Sequence, residues 1–460
     1  MSTRTLVGYG LPAFALALFG VPVFVHLPKF YADVVGAPLG ALGVAILLTR
    51  AADGLLDPII GAWSDRVRTR WGRRRPFLVA ASPALGMAVV VLFAPRATGM
   101  PAVWWFASTM ALAFLAWTAV QIPHAALGPE LASEHHARTT LFAVRDGLWI
   151  AGTLAAAIAP AVVRQLLASV GGPPDERDVF RVLGILYGVL LVALPWGCAW
   201  AVREPPHTTA PPPRHSPLRL VGEAWSNLPY RILLVSYAIA ALGGALPGTL
   251  LFFYVEHVLA APQWGDALLG LYFLSGFACL PFWAWLARRI GKKQAFVAAT
   301  ALSVGVFAGA LALGRGDAAW FAGIVVLSGA GFGASLTLPS SMLADTLDYD
   351  ELRTGERREG LFMGLWGVTM KGSAAIGAGL ALPVIAWAGY QAGSSPPDSA
   401  VMAIRLLYCA APCLCYAAAL VVVWRYPIDE ATHRAVKAAC DRRSGGETVE
   451  DPLTGEKISI

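Results

Sequence analysis

Charge is what this sequence has least of. Charged side chains make up 14% of its 460 residues, against 57% hydrophobic. That balance excludes an ordinary soluble domain, which needs a charged surface, and a disordered chain, which needs few apolar residues. Cysteine is also sparse, at six residues. Cys198, Cys279, Cys409, Cys413 and Cys415 fall in apolar segments and Cys440 lies near the end. No histidine joins the 409–415 group, so its spacing argues against a metal cluster and for small buried side chains. HExxH, GxSxG and GxxxxGK[ST] are all missing, so we expect no enzyme, no ATP-driven device and no cofactor.

What is present is long apolar runs. A bilayer takes about 20 residues per helix. Runs of that kind lie at roughly 5–33, 38–63, 76–95, 101–130, 142–166, 180–202, 229–258, 266–288, 292–313, 317–345, 359–390 and 401–426. They predict an all-α polytopic membrane protein with twelve spans. Arginine and lysine gather on alternate loops, notably Arg66, Arg68, Arg70, Arg73, Arg74 and Arg75, then Arg288, Arg289, Lys292 and Lys293. The bias predicts that both termini are cytoplasmic. The net charge of +6 is then a topology signal, and nucleic acid is not an expected partner.

A proline-rich stretch, REPPHTTAPPPRHSP, interrupts the pattern after six spans. It cannot propagate a helix and suits a linker. We expect one six-helix bundle over 1–202, a cytoplasmic linker over 203–228, a second bundle over 229–426 and a cytoplasmic tail over 427–460. In the tail, Asp429–Arg442 reads as a short surface helix and the final residues as flexible. The halves repeat weakly: Pro123, Leu127 and Glu130 in span 4 are echoed by Pro339, Leu343 and Asp345 in span 10.

Against this apolar background a few charges stand out. Asp53 and Asp57 are four apart and share a helix face, with Arg50 one turn before. Two close carboxylates in a low-dielectric site take up a proton or hold a metal ion together. The plainer reading is that Asp57, before Pro58, marks a helix break while Asp53 pairs with Arg50. Lys371 sits in mid-span with no acid within one turn, and needs a partner from another helix. Arg145 and Asp146 either pair with each other or reach a cavity. His124 could titrate or bind substrate, and Trp117, Trp366 and Tyr272 could stack on a ligand or simply pack. His26 and Lys29 read as interfacial.

YGLPAF…KFYADVVG, RAADGLLDPIIGAWSDRVRTRWGRRRP, IPHAALGPELASEHHART and LADTLDYDELRTGERREGLFMGLWGVTMKG together resemble a known family. It is the melibiose-permease-like glycoside–pentoside–hexuronide:cation symporters of the major facilitator superfamily. The resemblance implies a major facilitator fold of two six-helix bundles. It implies cation ligands at Asp53, Asp57 and Thr118, and the helix-11 lysine at Lys371. The family's arginine near the start of helix 5 matches Arg145 or, with a slip of one, Asp146. Departures fall on the sugar side. The helix-4 acid falls on Gln121, a sodium-site asparagine on Leu56, the helix-1 Lys–Asp pair on Leu16 and Ala17, and the sugar-packing tryptophan on Ala125.

The expected function is therefore a cation-coupled secondary symporter of a small organic solute, a sugar or glycoside, with H⁺ favoured over Na⁺. The alternatives are a transporter of a less polar, lipid-like cargo, and a non-transporting receptor or scaffold. We expect Asp53, Asp57, Thr118 and Gln121 to bind the cation, with Lys371 and Arg50 balancing charge. Ala17, His124, Arg145, Asp146, Trp117 and Trp366 are expected to line a midplane substrate cavity. Asp65, Arg66, Arg73, Arg74, Glu130 and Asp345 are expected to form a cytoplasmic gate. No metal is expected beyond a possible Na⁺. The expected setting is a monomer in the bilayer of a bacterial inner membrane.

Overall fold

A computed structural model of the chain describes residues 2–67, 69–131, 135–172, 174–204, 222, 224–355, 358–444 and 447–458. Among them are 12 helices long and apolar enough to cross a membrane. They are α1 (Thr3–Val34), α2 (Leu39–Arg66), α3 (Arg75–Phe93), α4 (Gly99–Leu131), α5 (His135–Gly171) and α6 (Glu176–Ala201). There follow α7 (Leu228–His257), α8 (Pro262–Ile290), α9 (Lys292–Ala310), α10 (Ala318–Thr354), α11 (Glu359–Trp387) and α12 (Asp398–Trp424). A tail helix, α13 (Glu430–Ser444), precedes a small antiparallel hairpin, β1 (Val449–Glu450) and β2 (Lys457–Ile458).

Helix α1 is not uniform. Pro22 has no N–H to give the preceding turn, and the chain relaxes there into a wide turn. The Leu27 N–H donates to the Pro22 carbonyl, and the Val35 N–H donates to that of Phe30 in a second wide turn. Each adds a residue to the helical repeat. His26, Lys29 and Asp33 all fall in or between these turns.

The helices form two compact units. The first comprises Met1–Ala210, Gly248–Phe273 and Ala375–Ile404. It holds α1 to α6 together with one end of α7, α8 and α11 and the start of α12. Its seams are built on small residues, which let backbones approach where lipid supplies no hydrophobic drive. Where α3 crosses α6, a Cβ at Gly86 would lie 2.6 Å from the Gly188 carbonyl oxygen. Where α1 crosses α5, a Cβ at Gly152 would lie 2.5 Å from the Phe14 carbonyl oxygen and 2.9 Å from the Ala17 Cβ. Ala17, 2% exposed, is thus part of a helix seam, which corrects its expected place on a substrate cavity.

The second unit comprises Pro211–Pro247, Leu274–Ala374 and Arg405–Ile460. Its core joins Tyr230, Trp283, Phe296, Met342, Tyr349 and Phe362 to Tyr426 and Val436. The tail is part of that core, so the flexible end expected from its composition is replaced by ordered structure. Tyr349 donates to Asp451 at 2.9 Å, and Val449 is 2% exposed. On α13, Arg443 donates to the Leu352 carbonyl at 2.6 Å and His433 contacts Asp348 at 2.9 Å. The tail's polar composition hid a small apolar face (Val436, Ala439, Val449) that covers the end of α10.

Candidate cation site and a second ion-pair cluster

The charges on α2 converge in the first unit. The Arg50 Nη1 donates to Asp53 Oδ2 at 3.1 Å, and both side chains are buried, at 7% and 2% exposed. From α4, the Thr118 hydroxyl donates to Asp53 Oδ1 at 2.9 Å and lies 3.2 Å from Asp57 Oδ1. The i, i+4 spacing of the acids on α2 presents both to one hydroxyl. The guanidinium of Arg50 lies over the Phe24 ring at 3.9 Å and the Phe114 ring at 4.4 Å. Those faces shield the cation from lipid and add cation–π attraction. Arg50, Asp53 and Asp57 carry formal charges that sum to −1.

Other expected site residues are distributed differently. Gln121 is half-buried one turn along α4 from Thr118. Trp117, 9% exposed, sits among Phe19 (5.3 Å) and Phe114 (5.9 Å), behind the Arg50 ring pair. His124, 3% exposed, contacts the Tyr9 carbonyl at 2.7 Å and stacks on the Tyr9 ring at 4.7 Å. It joins α4 to α1, buried against Tyr9. Arg145 and Asp146 pair with each other at 2.7 Å, and Arg145 covers the Phe142 ring. Lys371, half-buried, and Trp366 lie in the second unit, where Trp366 stacks on Tyr237 at 4.0 Å.

Of the expected gate, the side chains of Asp65, Arg66 and Glu130 lie outside the described residues. The loop before α3 is tied by a group not expected from the sequence. The backbone N–H groups of Arg73, Arg74 and Arg75 donate to the Glu204 carboxylate at 2.6, 2.7 and 2.6 Å. An acid at a helix N-terminus satisfies orphan donors and meets the positive end of the dipole. Gly72 makes this possible, with φ +105 and no room for a Cβ beside Glu204. Arg74 also donates to Ser64 at 2.6 Å. Asp345 accepts from Lys292 at 2.6 Å and lies 3.4 Å from His433, partners other than the arginine loop.

At the end of the first unit remote from that loop lies a second charged group, again largely missed. Lys29 bridges Asp33 and Glu256, and Tyr390 donates to Asp33 at 2.7 Å. Arg164 donates to Glu176 at 2.7 Å and to Asp266 at 2.8 Å, and Asp266 lies 3.5 Å from His26. All of these but Tyr390 line a cavity of about 460 Å³. They tie α1, α5 and α6 to the ends of α7 and α8 and to Tyr390, just beyond α11. The interfacial reading of His26 and Lys29 gives way to a network. A lone charge near a span end gives no hint of partners on distant spans.

Twelve apolar helices, with a buried charge cluster in the first unit, are the parts of a membrane transport protein. The chain belongs to the family described as "MFS/sugar transport protein", matched over residues 8–430. It is 26% identical to the "Glucuronide carrier protein homolog" of Escherichia coli (strain K12), covering 96% of each chain. It is 24% identical to the "Sodium-dependent lysophosphatidylcholine symporter 1" of Gallus gallus, over 90% of this chain and 82% of that one. Among solved structures it is similar to the nucleoside transporter NupG. There the TM-score is 0.63 at 12% identity, over 93% of this chain and 100% of that chain, a likeness of fold. The protein is an integral membrane transporter and not an enzyme.

Proposed function

We propose that this protein is a cation-coupled symporter of a sugar or glycoside, working by alternating access in an inner membrane with both termini cytoplasmic. Asp57 is the coupling carboxylate, Asp53 and Thr118 hold it in place, and Arg50 fixes the charge of Asp53. Lys371 is the counter-charge when the cation is absent, and Gln121 lines the route to the site. The observation that carries this reading is the Thr118 hydroxyl set against both acids, at 2.9 and 3.2 Å.

We favour H⁺. The Thr118 hydroxyl has one hydrogen and lies within donating distance of both acids. Leucine at position 56 leaves fewer oxygen ligands for Na⁺. Closure on the outer side falls to the Lys29 and Arg164 networks, whose rupture would open the path to the site.

A second reading has its own support. The similarity to a lysophosphatidylcholine symporter and the apolar side chain at Ala125, where the resemblance puts a sugar-packing tryptophan, favour an amphipathic cargo over a polyhydroxylated ring. Uptake into proteoliposomes separates the two. A glycoside panel that drives H⁺ flux supports the first. Flux driven only by lysophospholipids replaces the cargo and keeps the coupling site. A receptor or scaffold predicts no flux with either.

A further inference from the structure

Where α3 begins and α6 ends, Trp71, Arg75, Val79, Trp196, Ala199 and Trp200 line a hollow of about 270 Å³. It lies at the membrane boundary on the arginine-rich side, since one span starts and another stops there. Three indoles meet at one point of that boundary and all are open: Trp71, Trp196 and Trp200 are 51%, 41% and 79% exposed. Trp196 is fixed in place by donating to the Val79 carbonyl at 3.0 Å. The amphipathic indole prefers the level where headgroups meet acyl chains.

The charge at the hollow is cationic and has spare donors. The Arg75 Nε is buried with no hydrogen-bond partner. Arg70 lies over the Trp71 ring at 5.6 Å, and Arg203 is exposed beside the end of α6. The acid at hand, Glu204, is bound to backbone N–H groups of residues 73–75, so the start of α3 is already capped. What is left over is a guanidinium facing an apolar, indole-walled hollow that opens toward lipid.

We propose that this hollow seats an anionic phospholipid of the surrounding bilayer. The Arg75 guanidinium binds its phosphate, with Arg70 and Arg203 adding attraction. Trp71, Trp196 and Trp200 flank the glycerol and the first acyl carbons. A basic pocket between spans on the side facing an anionic leaflet selects such a headgroup by charge, and the indole wall selects the lipid over a soluble phosphate. The lipid is a structural ligand of α3 and α6. It is independent of which solute the protein carries.

The test uses the full chain reconstituted in equimolar phosphatidylglycerol and phosphatidylcholine, then released and weighed by native mass spectrometry. The expected result is several-fold preferential retention of phosphatidylglycerol by the wild type. Arg75→Gln should bring it down to the phosphatidylcholine level, and Arg75→Lys should keep part of it. Should Arg75→Gln fail to fold, Trp200→Ala reads the same site and should shed the lipid. Equal retention of both lipids by the wild type overturns the proposal. So does phosphatidylglycerol retention that survives Arg75→Gln, or Trp200→Ala in its place. Displacement by millimolar glycerol 3-phosphate would make it a soluble-phosphate site and also overturns it.

Discussion

One hydroxyl set against two carboxylates is sensitive to the loss of a single atom. Thr118→Ala removes a hydrogen bond to a charged group, worth about 1.5–3 kcal/mol. We expect the half-saturating concentration of the coupling cation to rise by about tenfold or more, with Thr118→Ser near wild type. Solute uptake as a function of pH and Na⁺ reads this directly. Arg50→Gln should act on stability as well. It removes the guanidinium bonded to Asp53, 2% exposed, and breaking a buried pair costs about 3–5 kcal/mol. A lower melting temperature in detergent is the expected outcome. At this scale the sequence revealed the acids and Arg50, because charge in an apolar run is conspicuous. Thr118 was reached through the family motif alone. Phe24 and Phe114 were hidden, since an aromatic in a membrane helix looks the same whether or not it covers a guanidinium. Ala17 misled for the opposite reason: the partner that buries it, Gly152, comes from another span.

Helices were the easiest part of the fold to read, as the apolar runs coincide with the spans to within several residues. Their interiors were less legible. Nothing in PVFVHLPKFYADV marks two wide turns beyond the prolines, yet those turns set where Lys29 and Asp33 point. The Gly86–Gly188 crossing makes a simple prediction. Gly188→Val places branched carbons where a glycine backbone now passes, so α3 and α6 must separate, and thermal stability should fall while the secondary structure persists. The Lys29 and Arg164 network makes another. Arg164→Gln deletes the bonds to Glu176 and Asp266 that tie α5 and α6 to α8. A cysteine placed at Gln263, on the cavity wall, should then react faster with a membrane-impermeant maleimide. An unchanged rate would remove the gating role assigned to Arg164.

At the scale of the whole molecule, the proposed orientation rests on the arginine bias of the sequence, which predicts the arginine-rich loops inside. The tail belongs to the working body. Ile428, Val436, Ala439 and Val449 are each 3% exposed or less. The tail also carries a chemical reporter. Burial, with the charges of Glu351, Asp348 and Asp441 adding to it, pushes the Cys440 thiol up to about 11. A raised thiol stays neutral through physiological pH and ionises late. Its maleimide labelling should be slow at pH 7.5 and keep climbing to pH 10, whereas an exposed thiol levels off above about 8.5. Because the thiolate is disfavoured in the fold, stability that Cys440 contributes is present below its unfolded value and is lost as pH rises toward 11.

Asp57 is the centre of the account, and one pair of assays on one variant tests it. Proteoliposomes carrying wild type or Asp57→Asn are given a transported solute, first with an inward proton gradient and then under equal-pH counterflow. The account predicts that Asp57→Asn loses gradient-driven accumulation while still exchanging solute in counterflow. Full proton-driven accumulation by Asp57→Asn would contradict it.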